Sequence, residues 1–162
     1  MKTYRLILEP WRSSDWEEFR LIATDVEVMR HITGGIPWTD EQIKNFVYRQ
    51  MSLYAERGYC RWKLIEIATG DLIGFCGPGK WRDEPDPEIG WWLARQKWGQ
   101  GLATEAARAA LDDTPVERII SIARPENTAS IGVMKKIGLR LEAEFEADGL
   151  QLVRYAINRR PA

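Results

Sequence analysis

Gln96-Lys97-Trp98-Gly99-Gln100-Gly101-Leu102-Ala103-Thr104-Glu105 separates a strand-like run, Glu88-Ile89-Gly90-Trp91-Trp92-Leu93, from an alanine-rich helical run that reaches about Asp112. Strand, glycine loop and helix start, in that order, gather unpaired backbone N–H groups around one point. The first-turn amides of a helix lack intrahelical acceptors and sit at the positive end of its dipole, where phosphate oxygens are favoured. Gly99 and Gly101 permit close backbone approach and dihedrals that other residues resist. The stretch is read as a cradle for a pyrophosphate. Two other phosphate loops do not fit. The dinucleotide fingerprint requires a glycine where Thr104 stands, and the Gly-Lys-Ser/Thr triplet of the P-loop does not occur. Taken alone, the loop leaves open a tight connection that binds nothing.

A second segment narrows the choice. Arg124-Pro125-Glu126-Asn127-Thr128-Ala129-Ser130 leads into Ile131-Gly132-Val133-Met134-Lys135-Lys136-Ile137-Gly138-Leu139. Asn127 is a good N-cap, Ile131, Met134 and Ile137 form an apolar helical stripe, and Gly138 suits the position after the last turn. Those features account for a helix without any function. The order strand, Asn-x-x-Ser, short helix, Gly-Leu, strand nevertheless resembles the second cofactor segment of the GNAT superfamily of N-acetyltransferases. Gln-x-x-Gly-x-Gly, from Gln96 to Gly101, resembles that superfamily's acyl-CoA loop. The likeness is to the branch that includes ribosomal-protein N-terminal acetyltransferases. Tyr4-Arg5-Leu6-Ile7-Leu8-Glu9-Pro10-Trp11 and Gly70-Asp71-Leu72-Ile73-Gly74-Phe75-Cys76-Gly77 match that branch too, so the resemblance spans nearly the whole chain in order.

The bulk properties agree with a single domain over residues 1–162, long enough to bury a core. The 23 basic and 24 acidic side chains leave a net charge of −1, which gives no support for a nucleic-acid or membrane-surface binder. The amino terminus lacks an apolar signal core, and no segment has the length and apolarity of a membrane span. Cys60 and Cys76 lack metal-ligand spacing and read as reduced thiols, and His31 is the single histidine. A metal-independent, cytoplasmic protein, monomeric or homodimeric, is expected. Eight tryptophans are the unusual feature; most suit the core, while Trp38 and Trp81, in loop-like surroundings, are candidates for an acceptor cleft.

Alternation predicts a strand at residues 4–9. The capping-box patterns Ser14-Asp15-Trp16-Glu17 and Thr39-Asp40-Glu41-Gln42 each predict a helix, and the turn-rich stretch 30–38 between them reads as a loop. Strands follow near 61–67, 72–77 and 88–93. After the glycine loop and its helix come a buried strand near 117–123, the 127–137 helix, and a hairpin of strands turning at Asp148-Gly149. Pro115 and the short connection after Leu111 require a truncated helix, shorter than the family's usual one. The whole predicts an α/β (α+β) chain with helices on both faces of a mixed sheet. The GNAT resemblance adds that the sheet is mostly antiparallel and splays open at the cofactor.

Acetyl transfer from a thioester to an amine requires a held cofactor, a polarised carbonyl, a neutral amine and a stabilised thiolate. The resemblance implies acetyl-CoA as cosubstrate, gripped at Gln96, Gly99, Gln100, Gly101, Leu102, Ala103 and Thr104, with Asn127 able both to cap its helix and to contact the pantetheine. It implies that backbone N–H groups around Trp92 and Leu93, freed by a bulge, polarise the carbonyl. Glu88 is the candidate base, or else a solvated charge at a strand start. Ser130 is the candidate donor to the thiolate, because Met134 stands where many GNAT enzymes carry a tyrosine; a local backbone bond is its bland alternative. Asp83, Glu84 and Asp86 are candidates for attracting a cationic amine, and Arg95 and Lys97 for holding phosphates. The expected acceptor is a primary amine, either a protein N-terminus or a small molecule. A catalytically silent acyl-CoA-binding or regulatory module is the alternative.

Overall fold

The alternating and short apolar runs become seven strands in a computed structural model that describes residues 1–159. They are β1 (Leu6–Glu9), β2 (Trp62–Glu66), β3 (Leu72–Gly79), β4 (Glu88–Leu93), β5 (Arg118–Ala123), β6 (Arg140–Ala147) and β7 (Leu150–Asn158). They form one sheet in the order β1-β2-β3-β4-β5-β7-β6. Every neighbouring pair is antiparallel except β4–β5, which is parallel. Among the described residues there are five α-helices: α1 (Trp16–Ala23), α2 (Val26–Thr33), α3 (Asp40–Arg57), α4 (Leu102–Asp113) and α5 (Thr128–Lys136). Among the described residues no helix is long and apolar enough to cross a membrane.

β3 is buried along its whole length, so both faces of the sheet are covered there. On one face Phe75 and Trp92 meet Phe19 of α1 and Phe46 of α3, with ring centroids 5.0–6.4 Å apart. α4 packs on β3 and β4 through Leu102, Ala106, Ala107, Ala110 and Leu111. Its alanines keep it close to the sheet, which brings its first turn to the end of β4.

The Thr39–Gln42 capping box forms as expected, with Gln42 N–H on Thr39 Oγ1 at 3.2 Å and Thr39 N–H on Gln42 Oε1 at 2.8 Å. The Ser14 box does not. Residues Ser13–Asp15 make a 3-10 turn, and Asp15 accepts from Arg12 N–H at 2.6 Å instead. The expected loop at 30–38 is also corrected: α2 runs to Thr33, capped by Asp25 and ended by left-handed Gly34, leaving only 34–38 irregular. Trp38 is partly buried and packs against the core, its ring centroid 4.7 Å from that of Trp92, and it does not line the cavity described below. The shortened helix α4 ends at Thr114, whose buried hydroxyl returns to Ala110 O at 2.6 Å and whose carbonyl accepts from Arg159 at 2.9 Å.

Gly74 fixes the spacing of β3 and β4. At φ +153° a Cβ there would lie 1.9 Å from Trp92 O. Gly74→Ala should therefore lower stability in urea unfolding by about 3 kcal/mol or more. Gly70→Ala, at φ +78° with nothing within 4 Å of the added Cβ, should cost only about 1–2 kcal/mol. Equal costs would show that backbone conformation, not the contact with Trp92, sets the requirement.

Candidate active site

The parallel junction between β4 and β5 is where the sheet opens. One pair is in register, Glu88 with Ile120, supported by Ile120 N–H on Pro87 O at 3.1 Å. The next rung is replaced by side chains. Ser121 Oγ donates to Ile89 O at 2.8 Å, and the Ile122 N–H lies near enough to the Glu88 carboxylate to lower its pKa. Beyond that point the strands part. On the other edge β4 stays paired with β3 through Leu93, in an unbroken register. Ala94 N–H donates to Ile73 O at 2.8 Å; the alternation of an antiparallel ladder then directs Trp92 N–H to β3, and Trp91 and Leu93 N–H into the gap. The expected bulge is thus absent, and of the two expected amides only Leu93 faces the opening.

The gap is part of a cavity of about 660 Å³. One end is lined by Gly99, Gly101, Ala103 and Thr104 at the start of α4, with Asn127 and Ser130 of the β5–α5 segment. The other is lined by Glu27, Val28, His31 and Ile32 of α2, by Trp81, and by Leu150 and Leu152 of β7. Glu88, Trp92 and Leu93 lie between. α2 and β7, one strand of the terminal hairpin, thus line the end away from α4.

At the first end α4 begins at Gly101, φ +79°, without a side-chain cap. Its first-turn N–H groups are therefore left for an outside acceptor. A Cβ at Gly99, φ +70°, would meet nothing within 4 Å, so the loop presents bare backbone. The chain's own residues thus fit a pyrophosphate. Leu102 is buried in the core and also lines the cavity. Gln96 and Gln100 do not line the cavity: Gln100 Nε2 donates to Gln96 O at 3.0 Å and brings the two ends of the loop together. Lys97 does line it, 2.6 Å from Glu66, whereas Arg95 does not. Arg5, whose part was not legible in sequence, donates to Gln100 O at 2.8 Å and pairs with Glu105 of α4, also at 2.8 Å. Asn127 Oδ1 caps α5 by accepting Ser130 N–H at 3.3 Å. The Ser130 hydroxyl makes no hydrogen bond among the described residues, so the bland local bond does not form.

Glu88 is no solvated charge. It is buried, and Arg61 Nη2 donates to its Oε2. Burial raises its carboxyl above the usual range, while the Arg61 charge and the Ile122 N–H pull the other way. Gly90 leaves the carboxylate room, because a Cβ there would lie 3.3 Å from Oε2. Arg61 is the partner that sequence reading missed. Its backbone N–H meets Gln50 Oε1 at 3.1 Å and its side chain crosses Gly79, contacts between distant segments that leave no local pattern. The acidic loop is likewise corrected: Glu84 pairs with Arg154 at 2.9 Å and Asp86 with Arg118 at 2.8 Å, so these carboxylates fasten the loop rather than attract an amine. Both cysteines are buried and outside the cavity lining, and burial pushes the Cys60 thiol up to about 12.

A family model described as an acetyltransferase (GNAT) domain matches residues 5–140. The chain belongs to the GNAT acetyltransferase family. Among its GNAT relatives, an uncharacterized N-acetyltransferase of Bacillus subtilis, YnaD, is 34% identical over 148 residues, covering 89% of this chain and 84% of its own. The crystal structure of a GNAT-family acetyltransferase from Bacillus anthracis is 32% identical with TM-score 0.81, covering 98% of this chain and 97% of that one. RimL, a ribosomal L7/L12 alpha-N-protein acetyltransferase solved with coenzyme A, shares the GNAT fold at TM-score 0.78 and 17% identity, over 97% and 96% of the two chains.

In this GNAT chain the glycine loop is expected to bind the cofactor through bare backbone. Coenzyme A at about a hundredfold excess over Kd should raise Tm by roughly 5–10 °C, and NAD much less. Gly101→Val puts a branched side chain at the helix start and should remove most of that shift. A folded variant with an unchanged shift would place the pyrophosphate elsewhere.

Proposed function

We propose that this protein is an acetyl-CoA-dependent N-acetyltransferase that transfers acetyl directly to a primary amine. The observation that carries the reading is a cavity passing between β4 and β5, with uncapped helix amides at one end and a buried carboxylate, Glu88, in its middle. Bound acetyl-CoA supplies an activated thioester. The first-turn amides of α4 and the Thr104 hydroxyl would hold its phosphates. The Leu93 N–H, free of the ladder, would donate to the acyl oxygen, and a preorganised donor there is most valuable as charge develops. The Ser130 hydroxyl would donate to the departing sulfur. Glu88, directly or through water, would take the proton of the incoming ammonium. Its raised pKa brings it nearer to that of the acceptor and makes it a better base than a solvated carboxylate. Direct transfer is favoured over a cysteine-linked route, because neither thiol lines the cavity and burial keeps Cys60 protonated.

Burial raises Glu88's folded pKa above its ordinary 4.5, so the group favours folding most below that value and progressively less as pH rises through the folded one. Catalysis has the opposite requirement, since only the ionised form accepts a proton. Thiol release should therefore rise with pH through the Glu88 titration. Assayed against a panel of amines, Glu88→Gln should lower kcat/KM about 10²–10⁴-fold for a strongly basic acceptor, with the deficit shrinking as pH rises and solvent removes the proton. A wild-type pH profile in the variant would remove Glu88 from the reaction. Coenzyme A binding without turnover of any amine would favour the silent acyl-CoA-binding module.

A further inference from the structure

The acceptor end of the cavity has a charge pattern that the general reaction does not require. Among the described residues, the carboxylates lining the cavity are Glu27 and Glu88, and each already has an arginine: Arg30 at 2.7 Å from Glu27, and Arg61 on Glu88. The walls around them are mostly apolar, from Val28, Ile32, Trp81, Leu150 and Leu152, with His31 of α2 beside them. A second ammonium on the acceptor would lose its water there and meet guanidinium groups rather than a free carboxylate, which is costly. The lining offers a second ammonium no unpaired carboxylate.

Arg82 supplies the complementary feature. It lines the cavity on a left-handed backbone, φ +48°, an uncommon conformation for a residue with a long side chain. Such strain persists only where the surroundings fix it. Here the guanidinium lies 4.8 Å from the Trp81 ring centroid and pairs with Asp148, at the turn of the β6–β7 hairpin. Trp81 in turn meets Phe145 edge-on at 6.1 Å. Pairing with one exposed carboxylate leaves most of a guanidinium's five N–H donors available. The same loop is fastened to the sheet by the Glu84–Arg154 and Asp86–Arg118 pairs, so it forms a fixed wall beside the mouth.

We propose that the acceptor is a small zwitterion: a primary amine with an apolar or aromatic body and an anionic group. The amine points to Glu88 and the anion to Arg82 at the rim. An amino acid with an apolar side chain has this chemistry, whereas a polyamine does not. The inference rests on the acetyltransferase reading above.

The test uses the full chain and acetyl-CoA, with thiol release as the readout. Phenylalanine, tryptophan, methionine and leucine are each compared with the amine that lacks only the carboxylate, and spermidine is included. In at least one pair the amino acid should be favoured about tenfold in kcat/KM, as for one charged hydrogen bond, with spermidine the poorest. The carboxylate also lowers amine basicity, so the deciding measurement is the same ratio in Arg82→Met. That ratio should fall toward one. Arg82 is exposed, so its replacement should leave the fold intact, and the coenzyme A-induced Tm shift checks this. Preference for spermidine, preference for the decarboxylated amine, or a ratio unchanged in Arg82→Met overturns the zwitterion proposal while leaving the transferase reading in place. Coenzyme A binding with no amine acetylated overturns both.

Discussion

Side chains take over one rung of a parallel ladder, and the arrangement of this site follows from that substitution. Where Ile122 N–H would ordinarily meet Ile89 O, the Ser121 hydroxyl takes the carbonyl, and the amide is left beside the Glu88 carboxylate. The Ile89 carbonyl is satisfied without β5 backbone, and a carboxylate stands by the Ile122 amide, which lowers the cost of separating the strands. The gap then exposes one edge of β4 while β3 holds the other. Glu88 therefore has two parts: it ends the ladder and stands in the opening that results.

Electrostatics divides the cavity. At the α4 end, uncapped amides and Lys97 favour anions, and Arg5 ties Gln100 O of the loop to Glu105 of the helix. At the α2 end the walls are mostly apolar; between the two ends, burial raises the Glu88 pKa, and Arg61 limits how far it rises. A carboxylate in that position is ionised only at some cost, and that cost is what strengthens it as a base. The same walls disfavour additional unpaired cations.

Much of this was legible in the sequence because it is local. The Thr39 capping box, the Asn127 cap, the Asp148-Gly149 turn and the strand–loop–helix order around Gly99 and Gly101 are short-range patterns, and each appears as read. The misreadings had competing local signals. Gly34, Gly35 and Pro37 drew the turn reading back over residues 30–33, although Asp25 and Gly34 bracket a sound helix. Ser14 lost its capping role because Asp15 serves Arg12 N–H and Lys63 together. Arg61 was illegible for a different reason. It is 27 residues from Glu88, and only sheet pairing and the missing side chains of Gly79 and Gly90 bring the two together. The resemblance to a known family placed Glu88 and Ser130 in the cavity lining; it gave no indication of what Glu88 is paired with.

The account depends most on Leu93 N–H facing the split while Trp92 N–H remains in the ladder. Residue-resolved hydrogen exchange measures this directly. In the free protein Trp92 should be strongly protected and Leu93 should exchange much faster. Addition of acetyl-CoA should slow Leu93 and the first-turn amides of α4, with little change at Trp92. A Leu93 amide already as protected as Trp92, and indifferent to acetyl-CoA, would contradict an open β4 edge as the place where the acyl group is held.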